Sequence, residues 1–178
     1  MNYHKLLWGF IFFFDFRISE FDILPDFIGY IFFYQGLSAM KDTNPFFHKS
    51  RGPALLMIFI ALFDMFPPLI SLSDFYNNPL SIWSLIFGLI TQLIHLFIIY
   101  NICYGIRLEA KLANLQDLKS SARITWYLYL ISNIIIYIHF LFTELTPLLF
   151  ILVFVVPTIS FLMMLSLLKK ASDELNQE

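Results

Sequence analysis

The chain has 178 residues, of which 59% are hydrophobic, 19% aromatic and 13% charged, with a formal net charge of −2. A soluble domain carries about 25% charged residues, so this composition excludes an ordinary water-exposed domain, and no nucleic-acid partner is expected. The single cysteine, Cys103, excludes an intrachain disulfide and a multi-cysteine metal cage, and reads as a small buried or lipid-facing residue.

Lys5 precedes the apolar run Leu6 to Phe14, which leads into Asp15, Phe16 and Arg17. No small-residue cleavage site follows, so the run reads as a retained first helix over about 5–18 rather than a signal peptide. At 1.5 Å per residue it reaches roughly 20 Å, short of the hydrocarbon core. The second helix is expected over about 23–40, with Pro25 in its first turn. The third is expected over about 53–70, opening after Gly52-Pro53 and closing at Pro67-Pro68, a pair that cannot continue a regular helix.

Asn77, Asn78 and Pro79 mark a turn, and a fourth helix is predicted over about 79–106. Leu108, Leu112, Leu115 and Leu118 then recur among charges, which predicts an amphipathic surface helix over about 107–121 with a possible protein partner there. Helices five (about 122–143) and six (about 146–168) form a hairpin around Thr143 to Pro147, with Pro157 inside the sixth. A polar tail without an apolar stripe follows from Lys169. Residues 75–106, 124–143 and 145–168 hold no Asp, Glu, Lys or Arg and meet the length of roughly 20 residues that crosses a bilayer.

Marking these spans sorts the basic residues. Ten of the eleven Lys and Arg (5, 41, 49, 51, 107, 111, 119, 123, 169 and 170) fall on one side and Arg17 alone on the other, which is the positive-inside pattern. The expected fold is therefore an all-α polytopic membrane bundle in one domain over 1–178, with six transmembrane helices and both termini cytoplasmic. If the first helix does not span, the count is five and the N-terminus lies outside. The lipid bilayer is the solvent, and Trp8, Tyr30, Trp83, Tyr100, Tyr104 and Trp126 suit its headgroup boundary.

In this orientation Asp15, Glu20, Asp22, Asp26, Asp64, Asp74 and Glu144 face outward against Arg17 alone, a field that attracts cations. Charges inside hydrocarbon are costly, and pairing Arg17 with Asp15 or Asp26 reduces that cost. Asp22 reads as a helix cap, whereas Asp26 is balanced between cap and ligand contact. Asp64 lies three residues before Pro67-Pro68; Pro68 frees its carbonyl, so a cation could use carbonyl and carboxylate, while an acid reaching to the outer surface is the leading reading. Gln92 and His95 share one face of the fourth helix, with Asn101 partly aligned. Asn133 and His139 lie in the fifth. Interhelical hydrogen bonding is the leading reading for these polar residues, and a ligand or proton-relay role for His95 the sharper one. Gly29 and Gly36 permit close helix approach. The ligand-binding candidates are thus Asp26, Asp64, His95, Asp15 and Arg17. No catalytic, cofactor or metal motif is found: Ser19, Ser71 and Ser73 have no base at motif spacing, and no H-E-x-x-H occurs.

The stretch Asp22-Ile-Leu-Pro-Asp-Phe-Ile-Gly-Tyr30, followed by Gly36-Leu37, resembles a group of uncharacterised small multi-pass membrane proteins of Gram-positive bacteria that share an early Leu-Pro-Asp-Phe-Ile-Gly-Tyr segment. The resemblance covers about residues 5–40. It implies a bacterial cytoplasmic membrane and carries no activity with it. Two functions follow as expectations: a membrane protein that binds or transports a cationic or polar solute through its acidic outer face, or a non-catalytic scaffold that binds partner proteins.

Overall fold

A computed structural model describes residues 3–13, 17–18, 21–22, 26–64, 81–141 and 146–175. Among the described residues there are six helices: α1 (Tyr3–Ile11), α2 (Asp26–Ala39), α3 (Pro45–Asp64), α4 (Ser81–Leu112), α5 (Gln116–Leu141) and α6 (Thr146–Glu174). Two residue pairs, β1 (Arg17–Ile18) and β2 (Phe21–Asp22), make an antiparallel hairpin in which Arg17 pairs with Asp22.

The helices pack as a closed ring. Each of α2 to α5 packs on the helices before and after it in the chain, and α6 closes on α1. The connections from α2 to α3, from α4 to α5 and from α5 to α6 are only a few residues long, which keeps those pairs neighbours. The fully buried side chains concentrate towards one end, among them Leu6, Leu37, Phe47, Ile102, Ile106, Leu118 and Leu168.

Among the described residues, Ile86–Leu112 and Ile151–Glu174 are long and apolar enough to cross a bilayer, and only 33% and 22% of their apolar windows are buried. A core helix of a soluble protein would be mostly enclosed. Here Phe87, Leu93, Ile151, Phe154 and Leu162 face outward, an apolar surface far beyond isolated exposed residues. The remaining helices fall short of that test for separate reasons. α1 has 9 residues, about 14 Å of helix, and α2 has 14. α3 spends its first turns on Pro-Phe-Phe-His-Lys-Ser-Arg-Gly. α5 is 26 residues long, and its charge-free stretch from Ile124 runs past the described side chains.

Several expected boundaries move. The first helix ends at Ile11 rather than near 18, because residues 17–18 are extended and paired. The third begins at Pro45 rather than at 53, so Pro53 lies inside it. Asn44 is the cause: its Oδ1 accepts from the backbone N–H of Phe46 at 3.1 Å and of Phe47 at 3.3 Å. That is a helix N-cap with Pro45 at the first helical position, where no N–H is needed.

The separate helix expected over 107–121 does not form. α4 continues to Leu112 and α5 starts at Gln116. The break is a Schellman cap, with Leu115 N–H on the Ala110 carbonyl at 2.8 Å, Asn114 N–H on Lys111 at 3.3 Å, and Asn114 left-handed at φ 59°. The leucine stripe is split as a result: Leu118 is buried in the core, whereas Leu112 is 72% exposed. At the other end the expected polar tail is helical to Glu174, where Ala171 is buried and Lys170 pairs with Glu174 at 3.7 Å.

Candidate functional site

Tight helix crossings bring polar side chains into the middle of the ring. The closest crossing joins α1 and α2: a Cβ on Gly9 would lie 2.8 Å from the Gly29 carbonyl oxygen, and one on Gly29 would lie 2.8 Å from that of Gly9. Gly29 has the close neighbour expected of it, and its partner is Gly9. Phe13 then stacks its ring edge against Tyr30, Phe33 and His95, with the His95 ring 5.1 Å away.

His95 is buried on α4. Its Nδ1 is 2.6 Å from the Tyr30 hydroxyl of α2, and its Nε2 is 2.8 Å from the Tyr129 hydroxyl of α5. A neutral imidazole donates from one nitrogen and accepts at the other, and each phenol can do either. The three groups therefore form a chain satisfied in both directions, and reversing it moves the ring proton between Nδ1 and Nε2. A second polar layer lies one turn away. Gln92 donates to the Asn133 carbonyl oxygen, and the Asn133 amide donates to the Tyr129 backbone carbonyl at 2.7 Å.

Asp26 opens α2 one turn before Tyr30 and is exposed. Of the candidates, His95 is placed by its two phenol partners, and Asp26 is related to it by position, one helical turn before Tyr30. Asp15 lies outside the described residues, as does the side chain of Asp64, the last residue of α3; Arg17 is described as backbone opposite Asp22.

The remaining polar residues divide. Gln92 and His95 bond between helices, as expected, whereas Asn101 donates to the Phe97 carbonyl of its own helix at 2.7 Å. His139 Nδ1 and Ser160 Oγ are buried without a hydrogen-bond partner. Cys103 is buried, its Sγ 3.8 Å from Met164 Sδ. Among the described residues no group of three His, Cys, Asp or Glu converges as a metal would require.

A second cluster, which sequence reasoning missed, lies at the end of the ring that carries the basic residues. Tyr3 of α1 donates its hydroxyl to Glu109 Oε2 on α4. Asn44 Nδ2 donates to Glu109 Oε1 at 2.9 Å and to the Gly105 carbonyl at 3.4 Å. Burial, then the Glu109 charge and hydrogen bond, push the Tyr3 phenol well above its ordinary range. The signal available in the sequence was Asn44-Pro45, the cap itself.

No protein-family model, curated protein or solved structure matches this chain.

Proposed function

We propose that the chain is a multi-pass protein of a bacterial cytoplasmic membrane that binds a polar or cationic solute from its outer face, admitted past Asp26 to the Tyr30–His95–Tyr129 chain. The observation that carries this reading is His95, hydrogen-bonded on both ring nitrogens at the centre of the ring. Ionisable groups inside a membrane bundle mark ligand or ion paths more often than packing sites. The acid excess outside supplies the attraction, and two phenols with an imidazole supply donors, acceptors and aromatic faces for a cation.

Six crossings with both ends cytoplasmic give the positive-inside distribution described above. The Tyr3–Glu109 bond supports the even count, because it ties the start of α1 to the end of α4 beside Arg107 and Lys111. Each helix shorter than the hydrocarbon core is accommodated by local thinning of the bilayer and by residues flanking it.

The test is thermal unfolding of the full chain in lipid nanodiscs against a fixed panel: alkali and divalent metal chlorides, amino acids, choline and polyamines. At 100 times its Kd a ligand adds about 2.7 kcal/mol. A panel member should raise Tm, with the rise lost in Asp26→Asn and in His95→Gln. A panel that leaves Tm unmoved, or a rise that survives both substitutions, would sink the reading.

Exposed Leu112, beside the Asn114 turn, favours the second reading, a scaffold that binds a partner within 107–121. Capture in mild detergent of one stoichiometric partner, lost on Leu112→Gln, would select it.

A further inference from the structure

Between α3 and α4 the outside of the ring opens into an apolar groove of about 510 Å³, within the range of ligand sites. Gly52, Pro53 and Leu56 form one wall; Ile90, Leu93 and Phe97 form the other. A Cβ on Gly52 would meet nothing within 4 Å, so the groove is open where α3 passes it.

Its mouth is basic. Lys49 lies three and four positions before Gly52 and Pro53 and so shares their face of α3, and its side chain leans towards the helix N-terminus, away from the apolar floor. Lys49 is exposed, and the ion pairs among the described residues do not include it. On the opposite wall Tyr104 lies two turns beyond Phe97 on the same face of α4. Phe46 of α3 packs on Tyr104 with ring centroids 6.0 Å apart, and the Arg107 guanidinium stands 5.3 Å over the Tyr104 ring. Helix spacing thus sets Lys49, and Tyr104 with Arg107 over its ring, beyond the end of the groove marked by Pro53 and Phe97. An apolar groove with cations beyond one end complements a lipid with an acyl chain and an anionic headgroup. Basic sites between helices at the cytoplasmic leaflet take such headgroups.

We propose that this groove holds an acyl chain of an anionic phospholipid of the inner leaflet, with its phosphate at Lys49 and Arg107. This rests on the membrane reading and orientation above, and it is separate from the His95 patch. Solute binding at that patch and lipid binding here are distinct events, one inside the ring and one on its outer surface.

The experiment follows the unfolding midpoint of the purified full chain in detergent, titrated with phosphatidylglycerol or with phosphatidylcholine of the same acyl chains. Phosphatidylglycerol should raise the midpoint at the lower concentration. A basic residue near an anionic headgroup is worth about fivefold in affinity, so Lys49→Gln and Arg107→Gln should each weaken the phosphatidylglycerol response by about that factor and leave phosphatidylcholine unchanged. Gly52→Trp, whose side chain enters open space, should remove the response to both. Equal responses to the two lipids, or a preference unmoved in the Lys49→Gln/Arg107→Gln double variant, overturns the proposal. So does an equal rise with glycerol phosphate, which lacks chains, or a disulfide-linked dimer that Leu56→Cys forms under a mild oxidant whether or not lipid is added. Alkaline carbonate extraction separates the two readings: release from membranes defeats the membrane reading itself, whereas retention without lipid preference defeats only the groove.

Discussion

Tyr30 and His95, 65 positions apart in the chain, share a 2.6 Å hydrogen bond between α2 and α4, two helices that are not neighbours in the ring of packed pairs. The bond crosses the interior. Tyr3 and Glu109 make a second such tie, from α1 to α4. The ring is thus held by apolar contact between adjacent helices and by polar bonds across its middle.

Removing the central histidine should cost more than removing one of its partners. Tyr129→Phe should lower stability by about 0.6 kcal/mol, the mean for an interhelical bond in a membrane. His95→Phe should cost about 1–3 kcal/mol, since it removes a hydrogen bond from each of two phenols at once. Unfolding in mixed micelles of both single variants and the double gives the coupling; strictly additive losses would show that His95 and Tyr129 do not act as a pair.

The glycines should differ sharply. An added Cβ at Gly9 meets Phe33 at 2.6 Å and the Gly29 carbonyl oxygen at 2.8 Å, whereas one at Gly88 meets nothing within 4 Å. Backbone cannot move aside as a side-chain tip can, so Gly9→Ala should cost about 1–3 kcal/mol. Gly88→Ala should gain up to about 1 kcal/mol of helix propensity. Gly105→Ala lies between: its Cβ would meet the Phe47 ring at 2.3 Å, and Phe47→Leu should recover part of the loss. Equal midpoints for the Gly9 and Gly88 variants would contradict the α1–α2 crossing.

Asn44 caps α3 and binds Glu109, so Asn44→Ala should cost about 1–2 kcal/mol through the cap alone. Tyr3 carries the pH dependence. Its folded-state pKa lies above the ordinary phenol value of about 10, so its stabilisation is complete below about pH 10 and is lost as pH rises towards the folded value. Stability measured by denaturant from pH 7 to 11 should fall at the alkaline end, and the fall should be shallower in Tyr3→Phe. A Tyr3→Phe profile that parallels the unmodified chain would refute the assignment of that slope to Tyr3.

Asn114 holds a left-handed conformation at φ 59°. Asn114→Gly should keep the α4–α5 break and change stability by no more than a few tenths of a kcal/mol. Asn114→Val should cost about 1–2 kcal/mol, because a β-branched residue resists that region. Unfolding midpoints check both, and a tolerated valine would argue that the two helices run on as one.

Sequence by itself carried the helical content, two helices long and apolar enough to cross a bilayer, and the choice of His95 and Gln92 as polar groups bonding between helices, because apolar run length and 3.6-residue spacing are local quantities. Helix ends were legible only where an end depends on nearby residues, and the Asn44-Pro45 cap and the Asn114 turn were passed over for the more conspicuous Gly52-Pro53 and the leucine stripe. Tertiary structure alone decided that α6 closes on α1, that Gly9 is the partner of Gly29, and that Tyr30 and Tyr129 gather about His95. Those depend on which faces of distant helices meet, and residues 34 and 65 positions apart share no periodicity from which such a meeting could be read.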